Sequence, residues 1–597
     1  MIGEVNENLL SRGVEAMQFR GPDAQATKVI LPNVALGHAR LSIIDLSSHA
    51  NQPFFYGDKV VITFNGEIYN YQSLRQELIK EHEFKTHSDT EVLCVGYLAW
   101  GIDGLLARID GMFAFCLLDI RQHKAFLATD AFGKKPLYYY QGDTSFYFAS
   151  TIDALRVIVP GIGLNIAEEA LKEFMFKGFI SGPRTIYQNV KKLEGGKLID
   201  IDINSLEKRV KQHFEVPIEN TSEEWSEHSL IDKFEQLILK SIEKRLVADV
   251  PVGAFLSGGI DSSLVVSMVA KEFGYKLNTF TVRFPVDKYN EADVAKEIAK
   301  HCQTDHHEFN FDQEAFYDFD RLLECFGQPF ADNSMIPTFH VSKLASQFNK
   351  VVLTGDGGDE AFLGYKHYYA IQWAEKMKWF IPPGFSAKRI PAFLPSSAHW
   401  LLAVNNYRFG DYFYDLLGQK GLLKFDKLFK SDFDPSITER SLFRKHGNYD
   451  WPKKTRWVDY QYLLPNDFLV KIDVMTMANS LEARSPFLDR ELVEFAMSIP
   501  SNKLMTDKRP KDLLRKLSQK YLPEKITNLP KRGFSFPIEE WFRQERRSVL
   551  AEIEGSFDHL ATFMHIDQLK EAMTNQFNER QYWTLFIFAK WLNRKAA

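Results

Sequence analysis

The stretch Ser257-Gly258-Gly259-Ile260-Asp261-Ser262-Ser263 lies between an apolar run at 252–256 and an apolar helical pattern that begins at Leu264. A strand, a Gly/Ser turn and a helix start make an anion site: free backbone N–H groups and the helix dipole face the ligand, and glycine admits close approach. Ser257, Ser262 and Ser263 add hydroxyl donors. The spacing is not that of the G-x-x-x-x-G-K-S/T loop, and alone it fits an ordinary helix-capping turn equally well. A second stretch tips the balance. Thr354-Gly355-Asp356-Gly357-Gly358-Asp359-Glu360 follows the strand-like run at 351–353. Ligands of parallel sheets bind beyond the carboxyl ends of strands. Carboxylates there, Asp359 among them, suit Mg2+, which takes one or two protein carboxylates plus phosphate oxygens and water.

Around these loops, strand-like runs at 254–256, 279–284, 307–311 and 350–353 alternate with helical patterns from Ser262 and Glu291. This predicts an α/β domain with a parallel sheet, entered by a helix at 230–246. The first third reads differently. Short apolar runs at 60–64, 112–118, 124–128 and 145–149, with helices at 8–17, 71–81 and 89–100, predict an α+β domain rich in antiparallel sheet. Between them 215–224 is polar and acidic, and Val216 and Ile218 flank Pro217, as in a linker. The predicted division is 1–205, a linker at 206–226, and 227–597.

The length of 597 residues suits two or three domains. A net charge of −5 points to no nucleic-acid surface. Cys94, Cys116, Cys302 and Cys325 form no C-x-x-C pair, so neither a zinc site nor a disulfide framework is indicated. No apolar run approaches the roughly 20 residues of a membrane span. The acidic N-terminus lacks a signal-peptide core. A cytoplasmic enzyme without nucleic-acid or membrane partners is expected.

Further motifs give the chain its resemblance. In the C-terminal part they are 248–256, Thr304-Asp305-His306-His307-Glu308, the 354–360 loop, Ser480-Leu481-Glu482-Ala483-Arg484-Ser485-Pro486-Phe487-Leu488-Asp489 and Pro530-Lys531-Arg532-Gly533-Phe534. In the N-terminal part they are Arg20-Gly21-Pro22-Asp23, Gly37-His38-Ala39-Arg40-Leu41, Asn65-Gly66-Glu67-Ile68-Tyr69-Asn70, Ser88-Asp89-Thr90-Glu91 and Asp110-Gly111-Met112-Phe113. With these the chain resembles the asparagine synthetase B family, the glutamine-hydrolysing type. The resemblance implies an Ntn-hydrolase-like antiparallel β sandwich between helices, a type 2 glutamine amidotransferase, followed by an ATP-pyrophosphatase domain. It implies ATP and Mg2+, aspartate as acceptor, glutamine or ammonia as nitrogen donor, and leaves a homodimer open. Ser257, Gly258, Gly259, Asp261, Ser262, Ser263, Thr354 and Gly355 would surround ATP, with Leu256 and Val282 beside adenine. Asp261 and Asp359 would hold the metal. Asp356 would serve the amide-forming step, and Lys511 and Lys531 would stabilise phosphate charge. Arg40 would fork onto glutamine's α-carboxylate, Glu67 and Asp89 would take its ammonium, and Asn65 with Gly66 would form an oxyanion hole.

The chain also departs from the family. The family nucleophile is an N-terminal cysteine whose own α-amino group is the base, whereas this sequence starts Met1-Ile2-Gly3-Glu4 and has no cysteine before Cys94. Either a short upstream segment is missing or the nucleophile is lost, and the sequence as it stands is expected to use free ammonia. Phe19 stands where histidine is usual, Thr129-Asp130-Ala131 replaces a more basic stretch, Gly327-Gln328-Pro329 replaces an acidic pair before proline, and Val474 stands for arginine. The rival readings are amidation of another carboxylate, such as a sugar acid or a natural-product intermediate, closure of an amide ring, and a non-catalytic relative.

Overall fold

The computed structural model describes residues 1–162, 165–286, 288, 290–311, 318–379, 427–505, 510–529, 536–575 and 577–596. The N-terminal part is built on a six-stranded antiparallel sheet. Its spatial order is Lys208–Gln212, Lys197–Asp202, Lys124–Thr129, Gly111–Asp119, Val60–Ile68, Phe54–Tyr56. The period of two in these strands sorts side chains onto two faces. Ile62, Phe64, Phe115 and Leu117 pack with Val92 and Leu93 of the helix Asp89–Arg108, while Val61, Ala114, Cys116 and Leu118 meet the second layer. That layer holds the hairpin Ala24–Leu31/Val34–Arg40 and the three strands Phe146–Ala149, Tyr138–Gln141 and Val190–Lys192. Ile2 joins the two sets through single bridges to Val34 and Phe146. Helices Glu7–Glu15 and Ile152–Ile158 pack on its outer side, completing a sandwich between helices.

Two sequence expectations need correction. The helix predicted at 89–100 runs 20 residues, and by length and composition alone it would pass for a membrane span. Its hydrophobicity belongs to the core instead. The helix carries Asp89 and Glu91 buried in its first turn and breaks at Gly101, where φ is 69°. The segment 206–226 is also more than a tether. Lys208–Gln212 forms the edge strand of the large sheet. Beyond it Phe214, Val216 and Ile218 are buried, and the Trp457 indole donates to the Val216 carbonyl at 2.8 Å.

The C-terminal part carries five parallel strands in the spatial order Asp305–Asn310, Asn278–Arg283, Val252–Phe255, Val351–Leu353, Glu482–Arg484. Chain order reverses between the third and fourth of these. This is the switch point at which open α/β sheets bind ligands, and both glycine-rich loops leave the sheet there. The strand Glu482–Arg484 has no hydrophobic signature. Its two charged ends are buried and paired across the boundary with the N-terminal part.

That boundary is held by buried charge. Asp473 accepts from Arg20 at 2.7 Å and from Lys135 at 3.4 Å, and Lys135 also lies 3.6 Å from Glu482. The Asp473 carboxyl is held below its ordinary pKa by the adjacent Arg20 and Lys135, which outweigh the cost of burial. Truncating it strands the buried Arg20 and leaves Lys135 with the longer Glu482 contact alone. Asp473→Ala is therefore expected to destabilise the protein by about 3–5 kcal/mol in urea unfolding; a change under about 1 kcal/mol, the range of an exposed pair, would contradict this.

Candidate active site

The loop 257–263 folds back on its own hydroxyls. Gly259 caps the helix Ile260–Glu272. Ser257 Oγ accepts from Gly259 N at 3.1 Å and lies 3.1 Å from Ser262 Oγ, which accepts from Ser257 N at 3.2 Å. Ser257, Gly258, Gly259 and Ser262 line a cavity of ≈ 440 Å3, and Leu256 and Val282 form part of its wall. Ser263 does not reach that cavity. Its hydroxyl donates to Gly259 O at 2.6 Å inside the helix, and the residue is fully buried.

The second loop presses against the first. A Cβ on Gly355 would lie 2.9 Å from the Ser262 backbone nitrogen, and one on Gly358 would lie 2.4 Å from Asp261 Oδ1. Only glycine permits this approach. Thr354 Oγ1 donates to Asp356 Oδ2 at 2.7 Å, which fixes that carboxylate at the cavity wall. Lys511 closes the arrangement. Its ammonium group pairs with Asp261 Oδ2 and, at 2.8 Å, with Asp359 Oδ1. It is buried, yet Asp261 and Asp359 raise its pKa despite desolvation, so it stays charged. Lys511 itself sits in the left-handed region at φ 59°, as the cap of the helix Asp512–Ser518. Lys531, with its motif at 530–534, lies outside the described residues.

Two carboxylates that converge on one cation suit Mg2+, which needs no more from the protein when phosphate supplies the other oxygens. No cluster of three or more metal-ligating side chains occurs among the described residues. Glu360, the third acid of the loop, is not a ligand of the same kind. Burial and the neighbouring Asp359 push its pKa up to about 8, and Tyr365 donates to it at 2.8 Å.

The residues read as glutamine ligands also meet, around a smaller cavity of ≈ 140 Å3. Arg40 turns its fork onto the loop 44–51, donating to Ser47 O at 2.9 Å and Asn51 Oδ1 at 2.8 Å. Asn65 Nδ2 is buried without a hydrogen-bond partner. Gly66 has φ 145°, and a Cβ there would overlap Met112 O. Asp89 accepts from Ile68 N at 3.0 Å, and burial pushes its pKa up to about 6. Glu67, also raised by burial, shares a hydrogen bond with Asp89 and pairs with Arg484 at 2.7 Å. The Met1 α-amino group donates to Ala35 O at 2.9 Å, and burial lowers its pKa to about 6. Among the described residues the one thiol lining this cavity is Cys116, whose pKa burial raises to about 12. A thiol so held is inert.

Several residues of these sites escape sequence reasoning. Arg484 ties Glu67 to the outermost strand of the parallel sheet. Next to it, Lys134 donates to Ser485 Oγ at 2.7 Å, and Ser485 Oγ lies 2.9 Å from Thr354 Oγ1, the donor to Asp356. A hydrogen-bonded chain thus runs from the N-terminal sandwich to the second glycine loop. The motif 480–489 marks the segment, but only the fold pairs its side chains with residues some 400 positions away.

Glu360 gives a pH signature. Between its ordinary pKa of 4.5 and its folded value near 8, the folded protein keeps a proton that the unfolded chain has lost. Stability from this group is therefore present below about pH 4.5 and is lost as pH rises through about 8. Glu360→Gln is expected to gain steadily on the parent in thermal unfolding from about pH 5 to pH 8. Parallel curves for the two proteins over that range would refute the assignment.

Known proteins share both halves of this arrangement. A family model described as asparagine synthase matches residues 233–593, and one described as a glutamine amidotransferase domain matches 2–214. The chain is 33% identical over 98% of its length, and 93% of the relative, to asparagine synthetase (glutamine-hydrolyzing) 1 of Bacillus subtilis. It is 30% identical over 98% of its length, and 93% of the relative, to a putative asparagine synthetase (glutamine-hydrolyzing) of Mycobacterium bovis. It is 28% identical over 89% of its length, and 85% of the relative, to the amidase chyE of Penicillium rubens.

Proposed function

Because the chain belongs to the asparagine synthase family, an ATP-dependent amide synthetase family, we propose that it adenylates the side-chain carboxylate of aspartate and releases asparagine by ammonolysis. The convergence of the loops 257–263 and 354–360 on one cavity, with Lys511 fixed between Asp261 and Asp359, carries this reading. We read 1–205 as the amidotransferase, 206–226 as its connection and 227–597 as the synthetase.

In the first step a carboxylate oxygen of the acceptor attacks the α-phosphorus of ATP, and the bond to the β-phosphate breaks. The products are an acyl adenylate and pyrophosphate. The N–H groups of the first turn of the helix Ile260–Glu272 and the Lys511 ammonium would be the donors to the charge that builds on the leaving pyrophosphate. They are fixed before the reaction, so no solvent need reorganise. Mg2+ held by Asp261 and Asp359 would neutralise the polyphosphate. In the second step ammonia adds to the acyl carbon, the bond to AMP breaks, and the nitrogen loses a proton. Asp356, oriented by Thr354, is placed to take that proton. We assign free ammonia as the nitrogen donor for this 597-residue polypeptide, because the thiol that lines the smaller cavity among the described residues is the inert Cys116.

Purified protein with ATP, ammonium and aspartate is expected to form AMP and pyrophosphate. Lys511→Ala should lower that rate by about 10²–10³. Formation of ADP and phosphate, or AMP formation indifferent to the added acid, would refute the reading. With glutamine as the sole nitrogen source the rate should fall at least about a hundredfold, since the thiol lining the smaller cavity among the described residues, Cys116, is held inert.

A further inference from the structure

Lys134 takes no part in either step above. It lies in the turn between the strands Lys124–Thr129 and Tyr138–Gln141, and the Asp130 carboxylate organises that turn. Asp130 Oδ1 accepts from Phe132 N and Lys134 N at 3.0 Å each, and its Oδ2 accepts from Lys135 N at 3.0 Å. Gly133, at φ 63°, turns the chain between them. The two lysines part there. Lys135 is neutralised by Asp473 and Glu482. The hydrogen bond that Lys134 Nζ makes among the described residues goes instead to a neutral group, Ser485 Oγ.

A lysine so placed is a poor site for a permanent charge. A buried ammonium has three N–H donors to satisfy, and desolvation favours the amine. Burial lowers the Lys134 pKa to about 7; Asp356 and Asp130 favour the ammonium, and Lys135 and Arg245 oppose it. Arg245 is itself paired with Asp489 at 3.1 Å. The path from this nitrogen to the reacting groups is short. Ser485 Oγ, 2.7 Å from Lys134 Nζ, lies 2.9 Å from Thr354 Oγ1, which lies 2.7 Å from Asp356 Oδ2. All four residues sit in or at the edge of the interior, and Lys134, Ser485 and Thr354 are buried. Each hydroxyl is both donor and acceptor and reverses its sense by rotating.

We propose that Lys134 is the proton store of the amide-forming step, loaded from Asp356 through the hydroxyls of Thr354 and Ser485. The proposal rests on the amide-synthetase reading. As the nitrogen bonds to the acyl carbon, one of its N–H bonds breaks and Asp356 takes the proton. Asp356 passes a proton to Thr354 Oγ1, Thr354 passes its own to Ser485 Oγ, and Ser485 passes its own to the Lys134 amine. Both hydroxyls are restored, Asp356 is a carboxylate again, and Lys134 is an ammonium. The hydrogen bonds then run from Lys134 to Ser485 and from Thr354 to Asp356, the sense that the structure shows. When the products leave, the chain runs backward and water entering at Asp356 carries the proton away. Without the store Asp356 keeps the proton, and the nitrogen can recapture it and leave as ammonia before AMP is expelled.

The test is kcat for AMP formation with aspartate and ammonia from about pH 6 to about pH 8, at a fixed saturating concentration of unprotonated ammonia. Lys134 accepts a proton only as the amine, so the parent's kcat should rise about tenfold over that range, with its midpoint near about 7. Lys134→Arg keeps a cation and a donor for Ser485 but never deprotonates. It should stay throughout at the parent's low-pH rate, with KM for ATP and for aspartate within about twofold of the parent. Ser485→Ala, which cuts the path and leaves Lys134 in place, should flatten the profile in the same way, and Ser485→Thr should restore the rise. A parent profile without the rise, or either of the first two variants keeping it, would overturn the relay while the amide-synthetase reading stands. AMP formation with no carboxylic acid required would overturn that reading, and the relay with it.

Discussion

The ion triad of Lys511, Asp261 and Asp359 is the constraint on which the ATP half depends. Two loops leave adjacent parallel strands and carry acidic side chains toward one another. Without a fixed cation their carboxylates would repel, and the glycines that let the loops touch would have nothing to hold them together. Lys511 supplies that cation from a distant part of the chain, at the cost of a left-handed backbone. The same triad prepares the site for substrate. A polyphosphate arriving with its metal brings negative charge to Lys511 and positive charge to the two carboxylates, so each member has a partner waiting.

A second theme is the boundary between the two halves. Apolar contacts such as Phe174–Phe588 and Tyr187–Trp591 cross it, and buried charge crosses it as well. Arg484 and Glu67, and Arg20 with Asp473, are buried pairs joining residues 417 and 453 positions apart. Such pairs add little net stability over apolar contacts, but they tolerate few alternative arrangements. Here they fix the carboxylates beside the smaller cavity relative to the strand whose end, at Ser485, contacts the second glycine loop through Thr354. The two cavities are thus joined by one continuous set of hydrogen bonds and ion pairs.

Much of this was legible in the sequence. Short apolar runs such as 112–118, a strand buried on both faces, and the alternating strands and helices after 250 carried the fold class. The glycine loops were legible because close approach and phosphate chemistry both demand glycine at strand ends. Other elements were not. Glu482–Arg484 is a strand with two charged residues, stabilised by partners that no local pattern contains. The helix Asp89–Arg108 extends past its predicted end because helical hydrogen bonding resumes after the break at Gly101. Ser263 shares its neighbours' chemistry, yet the helical turn points its hydroxyl to Gly259 O.

The central claim is that the carboxylate becomes bonded to the α-phosphorus of ATP. The direct measurement uses aspartate labelled with 18O in its side-chain carboxylate, with ATP and ammonium, and mass analysis of the nucleotide product. The account predicts one labelled oxygen in AMP and none in the pyrophosphate. Label in inorganic phosphate alongside ADP, or AMP free of label, would contradict it.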